Sequence, residues 1–157
     1  MKINWFPGHM RKTLKVLSDE IKNVDVVLYV LDSRAPYSCL NPSFVKIINN
    51  KPIVYVLNKA DLVDEKELKI WKDYFNNLPN STTVAVNSTA SGNKQILGAV
   101  RSILKGKIDF YLSKGAKKTF RAVILGVPNS GKSTLANNLC GKAKAVTGNR
   151  AGVTKTK

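Results

Sequence analysis

Apolar residues follow two alternating patterns along this chain. Near-continuous apolar runs occupy residues 24–32, 52–57, 83–86 and 122–125. Short runs without polar alternation are expected of strands buried on both faces. Between them the spacing changes to three and four residues. Residues 10–23 place Met10, Leu14, Leu17 and Ile21 on one helical face, with Arg11, Lys12, Lys15 and Lys22 mostly on the other. Further helices are expected over 41–48, 64–78 and about 93–114, the last broken near Gly106. Asn41 is placed to cap its helix, with Pro42 at the first turn. Residues 1–9 read as an aromatic arm with a Pro7-Gly8 turn, and residues 141–157, without apolar periodicity, as a mobile loop. Strands alternating with helices predict an α/β fold, a mostly parallel sheet with helices on both faces. In such sheets ligands bind beyond the carboxyl ends of the strands, where the polar segments of this chain fall.

The fourth apolar run leads into Gly126-Val127-Pro128-Asn129-Ser130-Gly131-Lys132-Ser133-Thr134, which fits the phosphate-loop pattern G-x-x-x-x-G-K-[ST]. Glycines let the backbone turn and approach a ligand closely. The N–H groups of the loop and the start of the next helix can then surround phosphate oxygens. Lys132 would reach the β- and γ-phosphates and the Ser133 hydroxyl would ligate Mg²⁺. Two earlier strand ends carry Asn58-Lys59-Ala60-Asp61 and Asn87-Ser88-Thr89-Ala90. A carboxylate at Asp61 can accept hydrogen bonds from guanine N1–H and the 2-amino group, which adenine cannot supply. Asn58 suits the base N7, the Lys59 stem can cover the base plane, and the Asn87-Ser88-Thr89-Ala90 turn can bring a backbone N–H to guanine O6 while side chains brace Asp61. Read alone, the first tetrapeptide is as well explained by a surface turn, and the second by a loop that satisfies its own backbone.

Charge narrows the partner class. Lys and Arg number 26 against 10 acidic residues, a formal +16 over 157 residues, which points to a polyanion, with nucleic acid the leading class. Cys39 and Cys140 form no metal or redox spacing. Two such thiols without a leader-like segment suggest a reducing cytoplasm, and the longest apolar run is too short to span a membrane.

Taken together, the three motifs and their order resemble the circularly permuted GTPases. In ordinary GTPases the phosphate loop precedes the NKxD motif; here Asn58–Asp61 and Asn87–Thr89 precede Gly126–Ser133. Trp5-Phe6-Pro7-Gly8-His9-Met10, Asp32-Ser33-Arg34-Ala35-Pro36, Asn41-Pro42 and Gly126-Val127-Pro128-Asn129 also resemble that family's motifs, with Ser130 where Val is common and Ala151 where Pro is common. The resemblance implies a P-loop NTPase fold and GTP or GDP with Mg²⁺ as ligands. It implies Thr154 as the switch threonine on Mg²⁺, Asn129 beside a bound K⁺, and His9 as the group assisting hydrolysis. It further implies a cytoplasmic factor for assembly of the large ribosomal subunit, contacting its precursor and rRNA rather than DNA, and acting as a monomer. The basic helix over 10–23 and the cations of the tail would touch rRNA. The family's D-x-x-G motif occurs nowhere in these residues. Residues 1–157 are therefore expected to form an incomplete, C-terminally truncated GTPase domain that binds nucleotide and hydrolyses it poorly. Two other readings stay open: a nucleotide-dependent RNA-binding placeholder without catalysis, and an ATP-using phosphate-loop protein in which Asn58–Asp61 is coincidental.

Overall fold

The computed structural model describes residues 8–48, 50–87, 92–127, 131–140 and 153–155. Five strands form one sheet in the order β3-β2-β1-β4-β5: β1 Val26–Asp32, β2 Ile53–Asn58, β3 Ser81–Ala85, β4 Ala122–Gly126 and β5 Val153–Lys155. The first four run parallel and β5 is antiparallel to β4. Each of the first four falls on an apolar run read from the sequence. β5 corrects the expectation of a loop throughout 141–157. Its backbone pairs with the edge of β4, Thr154 opposite Ile124, and three residues are too few to carry a periodic signal of their own.

The side-chain alternation of a strand explains why the runs are apolar without a break. Odd positions Val27, Tyr29, Leu31, Tyr55, Leu57, Val123 and Leu125 form one core, and even positions Val26, Leu28, Val30, Val54, Val56 and Ile124 the other. Three helices cover the odd face: α1 Gly8–Ile21, α2 Pro42–Ile48 and α3 Glu65–Asn76. They contribute Leu17 and Ile21, Phe44 and Ile48, and Phe75, with Trp71 packed alongside. The even face is covered from α4 Gly92–Ile103, α5 Lys105–Ser113 and α6 Lys132–Cys140, through Ile96, Leu135 and Ala136, with Ile108 partly buried.

One local detail differs from the sequence reading. The helix starts at Gly8, so Gly8 and His9 belong to α1 rather than to the arm. The expected break in the long helix is present: it falls at Leu104 (φ −97°, ψ 6°), two residues before Gly106. Leu104 is 3% exposed, and Gly106 sits inside α5 with open space around it. The Asn41 cap is as read: its side-chain oxygen accepts the Ser43 N–H at 3.0 Å. Tyr29 locks the same turn from below, its hydroxyl donating to the Cys39 carbonyl at 3.4 Å and accepting the Asn41 N–H at 2.9 Å. Burial pushes the Tyr29 phenol up to about 12. Among the described residues no helix is long and apolar enough to cross a membrane.

Candidate functional site

The sheet brings the polar segments together because neighbouring strands end at the same level. Asp32 at the end of β1 pairs with Asn58 at the end of β2, and Gly126 at the end of β4 pairs with Val30 of β1. Two strand spacings, about 10 Å, therefore separate the end of β2 from the start of the phosphate-loop segment. Strand order reverses between β2 and β4 on either side of β1, which makes this edge the crevice where open α/β sheets take ligands.

Asn58 is fully buried. Its carbonyl accepts both the backbone N–H and the hydroxyl of Ser33, so the ends of β1 and β2 are held as one unit. The next residue, Lys59, takes the left-handed conformation (φ 57°, ψ 38°), a geometry that costs a non-glycine residue about 1 kcal/mol or more. It turns the chain into a short helical turn over Ala60–Leu62. Two bonds fix that turn to the end of β3: the Ala60 N–H donates to the Val86 carbonyl at 3.2 Å, and the Asp61 N–H to the Asn87 side-chain oxygen at 3.1 Å. The Asp61 carboxylate stays exposed, open to a ligand.

Asn87, not singled out by the sequence reading among the residues of its motif, is thus the observed brace of Asp61. Ser88 and Thr89 lie outside the described residues. Asp32, read in the sequence only as part of the Asp32-Ser33-Arg34-Ala35-Pro36 motif, is a second participant. Arg34 binds its carboxylate through Nε at 3.0 Å and Nη2 at 2.7 Å, and the Lys59 ammonium reaches it at 3.2 Å. The Arg34 bonds, against a smaller opposing effect of burial and with Lys59 adding to them, hold the Asp32 carboxyl well below the usual carboxylate range. Its partners lie two residues and 27 residues away in sequence, and only the fold joins them.

On the phosphate side, Gly131 has φ +86°, a conformation a side chain would resist. α6 begins immediately after it, with the Leu135 N–H on the Gly131 carbonyl at 3.0 Å. Lys132 opens the helix half-buried, and burial lowers its pKa from the ordinary lysine value. A partly desolvated ammonium at a helix start is suited to an anion. Thr134 is exposed on the same first turn. Pro128, Asn129 and Ser130 lie outside the described residues. The backbones of Ser133 and Thr154 are placed in α6 and β5, and that of His9 in the first turn of α1. Among the described residues no group of three or more His, Cys, Asp or Glu side chains could hold a metal ion.

Comparison with known proteins gives consistent matches. Residues 121–157 match the family model described as "50S ribosome-binding GTPase". Residues 7–103 match one described as "Ethanolamine utilisation - propanediol utilisation". Ribosome biogenesis GTPase A of Bacillus licheniformis is 44% identical over 156 residues, 98% of this chain and 55% of that protein. Mitochondrial ribosome-associated GTPase 1 of Mus musculus is 35% identical over 96% of this chain and 48% of its own length. The crystal structure of GNP-bound YlqF from T. maritima superposes with a TM-score of 0.59 at 27% identity, covering 83% of this chain and 48% of that one. The chain spans about half the length of the curated relatives it matches.

Proposed function

The chain belongs to the circularly permuted GTPases, and from that premise we propose that it binds GTP and GDP across the carboxyl ends of β1, β2, β3 and β4. Asp61 reads the guanine edge, with its backbone held by Asn87. Asn58 and Lys59 face the base, together with the Ser88-Thr89 turn. Pro128 to Thr134 enclose the phosphates, Lys132 supplying charge to the β- and γ-phosphoryl oxygens. Hydroxyls from Ser133 and Thr154 are the hard oxygen donors Mg²⁺ takes, and Asn129 is the oxygen donor proposed for K⁺. Mg²⁺ held by these hydroxyls would supply positive charge to the phosphoryl oxygens; orienting the nucleotide is left to these side chains. His9, at the start of α1, is the residue proposed to orient water. Hydrolysis, a cytoplasmic role in assembling the large ribosomal subunit, and contact with its rRNA are proposed for the whole protein. Residues 1–157 are proposed as the part of its GTPase domain that carries base and phosphate recognition.

The observation that supports this reading best is the adjacency of the braced Asp61 turn and the Gly131–Lys132 helix start on one edge of the sheet. A site built on hydrogen bonds to a base rejects an analogue lacking them by about 10⁴ or more. The test is equilibrium binding of labelled GDP with Mg²⁺ and K⁺, competed by GTP, ATP and xanthosine diphosphate. GTP should compete and ATP should not. Equal competition by ATP would overturn the assignment of Asp61 to base recognition.

A further inference from the structure

At the other end of the sheet lies a cleft that nucleotide recognition does not use. It is open, about 440 Å³ in volume, and set at the amino ends of β1, β2 and β4. Lys22, Lys51, Lys107, Lys118 and Arg121 line it around a single carboxylate, Asp25. Lys107 and Lys118 both bind one Asp25 oxygen, at 2.8 and 3.2 Å, and the Arg121 N–H donates to the other at 2.9 Å. The Lys51 ammonium donates to the Val24 carbonyl at 3.1 Å, and Lys22 makes an exposed pair with Asp19 at 3.9 Å. Two of the five cations thus sit on the buried Asp25 carboxylate and Lys22 pairs with Asp19, so the cleft keeps a surplus of positive charge. Aromatic rings continue from its wall. Lys118 lies 4.8 Å from the Tyr111 ring and 5.5 Å from that of Phe120, and Phe110 packs edge-on against Tyr111. Phe110 is 51% exposed.

We propose that this cleft and the adjoining face of α5 form a second ligand site, which binds single-stranded RNA by its phosphates and stacks a base on Phe110. Lysine ammoniums act as point charges for phosphate, and an exposed ring beside a cationic groove offers a face on which a base stacks. An acidic peptide would use the charge but not the ring, so the ring favours RNA. Five strand residues, about 17 Å, separate the cleft from the phosphate-loop end of β4, so RNA and nucleotide can be held together. The inference rests on the proposed role on an RNA-containing particle.

The test is fluorescence anisotropy of the chain with a mixed-sequence single-stranded RNA at several KCl concentrations, with GDP binding measured in parallel. The variant Lys22→Gln/Lys51→Gln/Arg121→Gln removes charge and leaves both ammonium partners of Asp25 in place. It should lower the slope of log K against log salt by about 2 and leave GDP binding unchanged. Lys66→Gln/Lys69→Gln/Lys72→Gln on α3 removes equal charge elsewhere and should leave the slope unchanged. Phe110→Ala, at an exposed position, should weaken binding at least about fivefold whether or not the first triple variant folds. Equal losses from the two triple variants, no loss from the first, an unchanged Phe110→Ala, or competition by poly-glutamate as strong as by RNA would each overturn the proposal. So would absence of RNA binding by a chain that binds GDP, which leaves the nucleotide reading intact. RNA binding as described without GDP binding would overturn only the nucleotide reading.

Discussion

Replacing Asp25 by Asn should remove a defined part of the acid sensitivity of this fold. Burial alone would raise the Asp25 carboxyl, but its bonds from Lys107, the Arg121 N–H and Lys118 outweigh that and lower it from 3.8 to about 2. The folded-state value lies below the unfolded one, so the unfolded chain binds more protons between them and stability rises with pH in that window. The contribution is complete above about pH 4 and is lost as pH falls through about 2; it amounts to roughly 2 kcal/mol. The Asp25 side chain is 9% exposed, whereas Lys107 and Lys118 keep 45% and 31% of their exposure. The lysines can therefore turn to water when the carboxylate is gone, and the penalty at neutral pH should stay near 2–3 kcal/mol rather than exceed it as for a fully buried pair. Urea unfolding followed by Trp71, which packs against the odd-face core, measures both quantities from pH 2 to 6. The variant should be less stable at pH 6 and should lose about 2 kcal/mol less than the parent on acidification. Asp32 contributes in the same direction and cancels in the difference. Acid limbs that superimpose for parent and variant would refute the electrostatic account of Asp25.

Asp61→Asn should exchange guanine for xanthine preference, lowering GDP affinity by at least about a hundredfold and restoring tight binding with xanthosine diphosphate, as read by competition. Asp32→Ala frees Lys59 from its counter-charge and should weaken GDP two- to fivefold, the scale of a partly exposed ion pair; an unchanged affinity means that Lys59 holds its place without Asp32. Tyr29→Phe strips the Asn41 N–H and the Cys39 carbonyl of one partner and should cost about 1–3 kcal/mol in urea unfolding. Gly106→Ala meets nothing within 4 Å and should stabilise α5 by about 0.5–1 kcal/mol; destabilisation would mean that the glycine is required after all.

The parts of this molecule legible in its sequence are those whose cause is local. Apolar runs buried on both faces, the Asn41 cap and the glycine loop each announce themselves within a few residues. The order of Asn58–Asp61 before Gly126–Ser133 was legible as well, since it needs only counting. What stayed hidden depends on residues far apart in sequence. Asp25 finds its ammonium partners 82 and 93 residues away, and Asp32 finds the Lys59 ammonium across 27. The helix break near Gly106 was legible to within two residues, since it falls at Leu104. β5 escaped because its pairing is made by the backbone of three residues.

The strand order also sets a timetable. β1, β2 and β3 are consecutive in sequence and already neighbours in the sheet, so a growing chain can assemble the base-reading half first. The second edge of β1 then waits for β4, which begins 37 residues after β3 ends at Ala85. At ribosomal rates of about 5–20 residues per second the wait lasts roughly 2–7 s. During it the central, largely apolar strand shows an unpaired edge, the feature on which nascent chains stick to one another. In an unpermuted arrangement the phosphate-loop strand is made first; here the chain must shelter its central strand until the piece that completes the nucleotide site arrives.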